Sequence, residues 1–247
     1  MFPIRDHNPS GRTPYVVYAL IAVNVLVFLS YAGMMGDERA MARFFFRWAE
    51  IPARITRGEG LGTLVTSMFL HGGLMHLAGN MLFLWIFGDN LEDKMGHAKF
   101  LGFYLVCGIG AALAHALSAP HSTVPTVGAS GAIAGVMGGY LLLFPKARVD
   151  ILVILIVFIR ILPIPAWIML AVWFVMQTIG GFGTDPDLGG VAYWAHIGGF
   201  VIGVGLTLPL WLRLGGPSYW NLTHGRPPHA ERNYRLNPTR IPRVPRR

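Results

Sequence analysis

Three short stretches place polar side chains inside otherwise apolar runs, and their residue types are those of acyl transfer. Ser130 opens one run in Gly128-Ala129-Ser130-Gly131. A serine hydroxyl is a weak nucleophile until a base takes its proton, and neutral histidine suits that task near pH 7. His196, in Ala195-His196-Ile197-Gly198-Gly199, is the candidate base. His76 and Asn80 are four residues apart and so share a helical face; with the Ser130 backbone N–H they are candidate donors to an oxyanion. Taken singly, each has a plainer explanation. Gly131, Gly135, Gly138 and Gly139 form a small-residue face of the kind that packs helices, and an intramembrane histidine can simply hydrogen-bond to a neighbouring helix. The Gly-x-Ser-x-Gly elbow of soluble hydrolases is not matched, because position 132 is Ala.

Other chemistries fit less well. A zinc protease needs Glu after its first His and the second His four residues on, whereas Gly72 follows His71 and His76 is five residues away. The single cysteine, Cys107, excludes an internal disulfide and any cysteine-based metal site. No metal or cofactor is expected. The carboxylates nearest His196, Asp185 and Asp187, precede its helix, so the expected unit is a Ser-His dyad and not a triad.

These residues need a scaffold, and composition says which kind. The 247 residues are 53% hydrophobic and 13% charged, with a mean hydropathy of +0.51, too apolar for an ordinary soluble enzyme. Asp, Glu, Lys and Arg are absent from 14–36, 61–88, 100–145, 161–184 and 188–212. A crossing helix takes about 20 residues, so the chain reads as an all-α polytopic membrane protein with six spans near 14–33, 63–88, 100–119, 130–144, 163–181 and 191–212. The run 14–33, preceded by Arg5 and Arg12, has features of a signal peptide, but its near-full membrane length favours a first span. The Arg-rich, aromatic stretch 37–60 reads as a loop lying in the headgroup region. The net charge of +8 lies almost wholly in 213–247, where eight Arg face one Glu, which points to anionic lipid and not to nucleic acid. This gives an amino-terminal segment 1–13, a membrane domain 14–213 and a basic tail 214–247, the last 30 residues of which are expected to be largely disordered.

The fourth helix is the informative one. Pro120 and Pro125 delay its start, and the 15 residues 130–144 rise only about 22 Å against a hydrocarbon core of about 30 Å. Its beginning is therefore sunk in the membrane, and 125–129, non-helical at that depth, should line a cavity. Loop charges set the direction: 15 Lys and Arg on one side, 5 on the other, which puts both termini in the cytoplasm. Ser130, His196, His76 and Asn80 then fall in one outward-facing layer. The apolar run 151–162, only about 18 Å as a helix, carries Arg160 and ends at Pro163, so it should lie at the cytoplasmic interface without crossing.

With these residues in place, 14–213 resembles the rhomboid family of intramembrane serine proteases. Its Gly-x-Ser-Gly falls on Gly128 to Gly131, its His-x-x-x-Asn on His76 and Asn80, and its Ala-His-x-x-Gly-x-x-x-Gly on Ala195, His196, Gly199 and Gly203. The resemblance implies a six-helix bundle with a short central fourth helix, Ser130 as nucleophile, His196 as base, His76 and Asn80 as oxyanion donors, and single-pass membrane proteins as substrates. It implies an integral membrane protein, here placed in a bacterial plasma membrane. Two positions depart from the pattern: Ala134 stands where members often have an aromatic that packs on the imidazole, and the Trp-Arg pair of many first loops appears only reversed, as Arg47-Trp48. A catalytically inactive escort for membrane proteins is the alternative function, disfavoured by the presence of both Ser130 and His196. A proton-relay transporter should carry intramembrane carboxylates, which the apolar runs lack.

Overall fold

The structure is a computed structural model and describes residues 2–8, 10–155 and 158–232. In chain order its elements are β1 (Phe2–Asp6), α1 (Tyr15–Ala32), α2 (Glu38–Trp48), α3 (Pro52–Ile55), α4 (Thr63–Thr66), α5 (Leu74–Met95), α6 (His97–Ser118), α7 (Ser130–Leu143), β2 (Arg148–Leu155), β3 (Phe158–Pro165), α8 (Ala166–Gly183), α9 (Tyr193–Arg213) and α10 (Pro217–Thr223). Among the described residues, α1, α6, α8 and α9 are each long and apolar enough to cross a membrane. A fifth crossing is available if Thr63–Phe69 and α5, which meet at 96°, count as one broken span. The chain is an integral, multi-pass, mostly helical membrane protein.

Helix α7 is the centre of the bundle. Every residue from Gly131 to Tyr140 is buried, and α5, α6, α8 and α9 pack around it, α9 most closely. Glycine makes that contact possible. A Cβ on Gly199 would fall 2.0 Å from the Gly131 carbonyl oxygen, and one on Gly203 would fall 2.0 Å from that of Gly135, so the two backbones touch where any side chain would separate them. The outward faces stay apolar: Leu26 and Leu29 on α1, and Val175 and Ile179 on α8, are exposed, as lipid contact requires and water would penalise.

Helix ends are satisfied by specific groups. The Glu92 carboxylate accepts from the backbone N–H groups of Val16 and Val17, at 2.9 and 2.8 Å. It thereby caps the start of α1 with a negative charge, an arrangement typically worth about 1 kcal/mol. Gly96 links α5 to α6 alone, with φ at 78°, a conformation that costs glycine little and other residues more.

Four sequence expectations are corrected. The chain is not all-α: the described residues of 151–162, expected at the cytoplasmic interface without crossing, belong to an antiparallel hairpin, β2 and β3, to which β1 adds as a third strand in the order β1-β2-β3. Val149, Ile151, Val153, Ile161 and Ile164 are β-branched and favour strands. Pro163 and Pro165 are tolerated because β3 is an edge strand. Arg5 Nε and His7 Nε2 lie 2.7 and 2.6 Å from the Asp150 carboxylate and pin the amino-terminal strand. Asp6 accepts from Asn90 Nδ2 at 2.8 Å, and burial beside Asp89 holds its carboxyl well above the ordinary carboxylate range.

Second, 63–88 is not one straight span. The chain breaks at 70–73, where the Tyr31 hydroxyl accepts from the His71 N–H at 2.7 Å and contacts the His71 carbonyl at 2.9 Å, and α5 then runs on to Met95. Third, 37–60, expected as a loop lying in the headgroup region, contains the helices α2 and α3; Asp37 accepts from Ala40 N–H and caps α2. Phe44 and Phe45 of α2 pack on Tyr31 at ring distances of 4.8 and 6.3 Å. With the Thr66 hydroxyl donating to the Trp48 carbonyl at 2.6 Å, these contacts anchor the segment whose Trp-Arg pair is reversed. Fourth, the expected disorder from 218 does not hold up to 232. Tyr219 is buried, Trp220 Nε1 donates to the Leu142 carbonyl at 2.9 Å, and Arg232 N–H donates to the His7 carbonyl at 2.8 Å. The rest of that segment, 233–247, lies outside the described residues.

Candidate active site

Ser130 is the first residue of α7, so its backbone N–H and the next two have no acceptor within the helix. His196 is in the first turn of α9. The glycine contact between the two helices brings these side chains together: His196 Nε2 is 2.7 Å from Ser130 Oγ. The other ring nitrogen, Nδ1, is 2.7 Å from Oε1 of Gln177 on α8, and the Trp173 ring lies 5.9 Å from the imidazole, tilted by 31°. Gln177 and Trp173, one turn apart on α8, both lie against the His196 imidazole. Composition scanning passes over both. The available signal for Gln177 was an amide side chain in an otherwise apolar span.

His76 and Asn80 reach the same place from α5. The Gly72 N–H points at His76 Nδ1 across a long 3.4 Å contact, an arrangement that favours the tautomer with its proton on Nε2. That Nε2 would lie 2.9 Å from a Cβ on Gly128, and Ser130 Oγ 3.6 Å from it. Gly128 has φ at 134°, so both space and backbone reserve the position for glycine. Asn80 spends one Nδ2 proton on the His76 carbonyl at 2.9 Å and keeps the second.

All four predicted residues line one cavity of about 530 Å³, along with Trp173, Met75, Phe83 and His115. Residues 125–128 form part of its wall, as the sunken start of α7 requires. That wall is held by Gly128 N–H donating to the Ser67 carbonyl at 2.9 Å, and by paired backbone bonds between Glu50 and Thr126 at 3.1 and 2.7 Å. Glu50, also on the wall, was not foreseen from the sequence. Its side chain is buried, Oε1 has no hydrogen-bond partner among the described residues, and burial pushes its pKa up to about 8.

Fold and site together define a class: a helical membrane protein that buries a contacting serine and histidine in a cavity. Residues 58–213, more than half of the chain, match the Rhomboid domain, and the chain belongs to the rhomboid family. It is 30% identical over 195 residues to Rhomboid protein 1, mitochondrial, of Saccharomyces cerevisiae, which covers 76% of this chain and 51% of the yeast protein. It is 35% identical over 130 residues to Rhomboid protease GluP of Bacillus subtilis, covering 52% of this chain and 24% of that one. With the human Presenilin-associated rhomboid-like protein, mitochondrial, it shares 30% identity over 138 residues, 55% of this chain and 35% of the human protein. The chain thus spans about half or less of the length of these relatives.

Proposed function

We propose that this chain is an intramembrane serine endopeptidase that cleaves single-pass membrane proteins in or near their transmembrane segment. The observation that carries the reading is the 2.7 Å contact between His196 Nε2 and Ser130 Oγ inside a cavity. Ser130 Oγ attacks the scissile carbonyl carbon while its proton passes to His196 Nε2. The oxyanion is met by His76 Nε2–H, the free Nδ2 proton of Asn80 and the Ser130 backbone N–H. Collapse breaks the C–N bond, the amine leaves with the proton from His196, and water, activated by the same base, then hydrolyses the acyl-enzyme. No metal or cofactor enters these steps. The name Rhomboid protease GluP supports proteolysis as the family chemistry.

The same proposal includes six crossings: α1, the broken α4–α5 span, α6, α7, α8 and α9. Sheet pairing supports this count. Because β1 pairs with β2, residues 2–6 and 148–155 share one side and an even number of crossings separates them; with α1, the broken α4–α5 span and α6 counted, α7 makes the fourth. The Gly225 carbonyl accepts from Lys146 N–H at 2.8 Å, so the end of the membrane domain returns to that side. Loop charges make this side cytoplasmic. The compartment proposed is a bacterial plasma membrane, supported by the Bacillus subtilis relative, whereas the yeast and human relatives carry mitochondrial names.

Two experiments test these statements. Purified chain in lipid vesicles is expected to cut a co-reconstituted single-pass protein once, within or beside its span, as read by mass of the two products. Cuts only in water-exposed regions, or none, contradict the function. For topology, single cysteines at Lys146 and Arg160 in a Cys107→Ser background are expected to resist a membrane-impermeant maleimide in intact cells and to react once the membrane is opened. Labelling of the Arg160 position in intact cells would place the hairpin outside.

A further inference from the structure

Among the spanning helices, α8 is apolar over Ala166–Gly183 except for Gln177 and Thr178. Thr178 satisfies itself within the helix, its hydroxyl donating to the Phe174 carbonyl at 2.9 Å. Gln177 instead reaches across to α9 and meets Nδ1 of His196 at 2.7 Å. An amide side chain in an apolar span is costly unless its polar atoms are used, and here the use is specific. An amide oxygen only accepts, so Nδ1 opposite Oε1 must carry the proton. The other nitrogen, 2.7 Å from Ser130 Oγ, is then the unprotonated one. With the tautomer reversed, Nε2–H would point at the hydroxyl and nothing could take its proton.

We propose that Gln177 is a positioning residue that holds His196 in its Nδ1–H tautomer, with the Nε2 lone pair facing Ser130, a task that soluble serine hydrolases give to a carboxylate. The proposal rests on the protease reading above. An amide does it at membrane depth without introducing a charge, at the cost of a weaker grip on the imidazolium formed in the reaction. Trp173, one turn away on α8, lies close enough to restrict rotation of the ring about its Cβ–Cγ bond.

The test compares Gln177→Leu and Gln177→Glu with the unaltered chain in vesicles, using a single-pass substrate and a pH series. Gln177→Leu is expected to lower kcat on the order of 100-fold or more with KM nearly unchanged, since wrong-tautomer losses in such units can reach about 10⁴. A carboxylate can only accept, so Gln177→Glu is expected to restore most of kcat. It should also move the acidic limb of the pH–rate profile upward by at least about 1 unit, by favouring the imidazolium. The other groups facing the imidazole are Ser130 from α7, His76 from α5 and His115 from α6, all of which both variants retain. Full kcat with an unmoved profile in Gln177→Leu overturns the proposal, as does a Gln177→Glu variant no better than Gln177→Leu. If the unaltered chain does not cleave, the protease reading fails instead. The tautomer is then read directly by ¹⁵N NMR of His196, where protonation at Nε2 overturns the proposal whatever the activity.

Discussion

Replacing either Ser130 or His196 by alanine is expected to remove cleavage of a single-pass substrate, by about 10⁴ to 10⁶-fold, while the protein stays folded. In the proposed mechanism the two side chains share one proton in one step, so neither would work without the other. Each alone therefore costs nearly everything, and the Ser130→Ala, His196→Ala double variant should be no slower than either single one. The contact at 2.7 Å makes them a unit. A double variant slower by a further large factor would mean that they act in separate steps, and the dyad would be wrong. Neither residue lies in the closest backbone contacts of the bundle, so thermal unfolding in detergent should change little.

Gly199→Ala is expected to cost at least about 100-fold in cleavage although it touches no reacting atom. The added Cβ would meet the Gly131 carbonyl oxygen at 2.0 Å, well inside contact distance, so α9 must move away from α7. Gly131 follows Ser130, and Gly199 is one turn beyond His196. The separation that grows is therefore the one between nucleophile and base, and misplacement by about 1 Å costs on that order. Overpacking of this kind also lowers stability by about 1–3 kcal/mol. Gly205→Ala, on the same helix with open space where its Cβ would go, is the control and should keep both activity and stability. Equal behaviour of the two variants in cleavage and thermal unfolding would contradict the role assigned to the glycine contact.

These residues also show what a sequence of this kind exposes. Charge-free runs revealed α1, α6, α8 and α9 because hydrocarbon excludes charge whatever the helix contacts. The short fourth helix followed from proline positions and length, and the meeting of Ser130 with His196 from glycines three to four apart on two helices. What stayed hidden depends on partners far along the chain. The hairpin is completed by β1, some 145 residues away between Arg5 and Asp150, and an apolar run of 12 residues does not announce whether it will find such a strand. Gln177 carried a signal without a meaning for a related reason: an amide in an apolar span acquires a role only once the neighbouring helix is known. The helix at 38–48 was different, since Asp37 before Glu38 is a readable start signal. Order in 217–232 comes from packing against the bundle, which an Arg- and Pro-rich composition does not encode.

The central claim is that Ser130 is an activated nucleophile. The most direct measurement is labelling of the purified protein in detergent or vesicles with a fluorophosphonate, which bonds covalently to a serine oxygen only where a base has raised its reactivity. Peptide mapping should find the adduct on Ser130, and labelling should vanish in Ser130→Ala and fall sharply in His196→Ala. Absence of labelling in the unaltered chain, or an adduct that survives Ser130→Ala, would contradict the account and leave a membrane protein that binds its partners without cutting them.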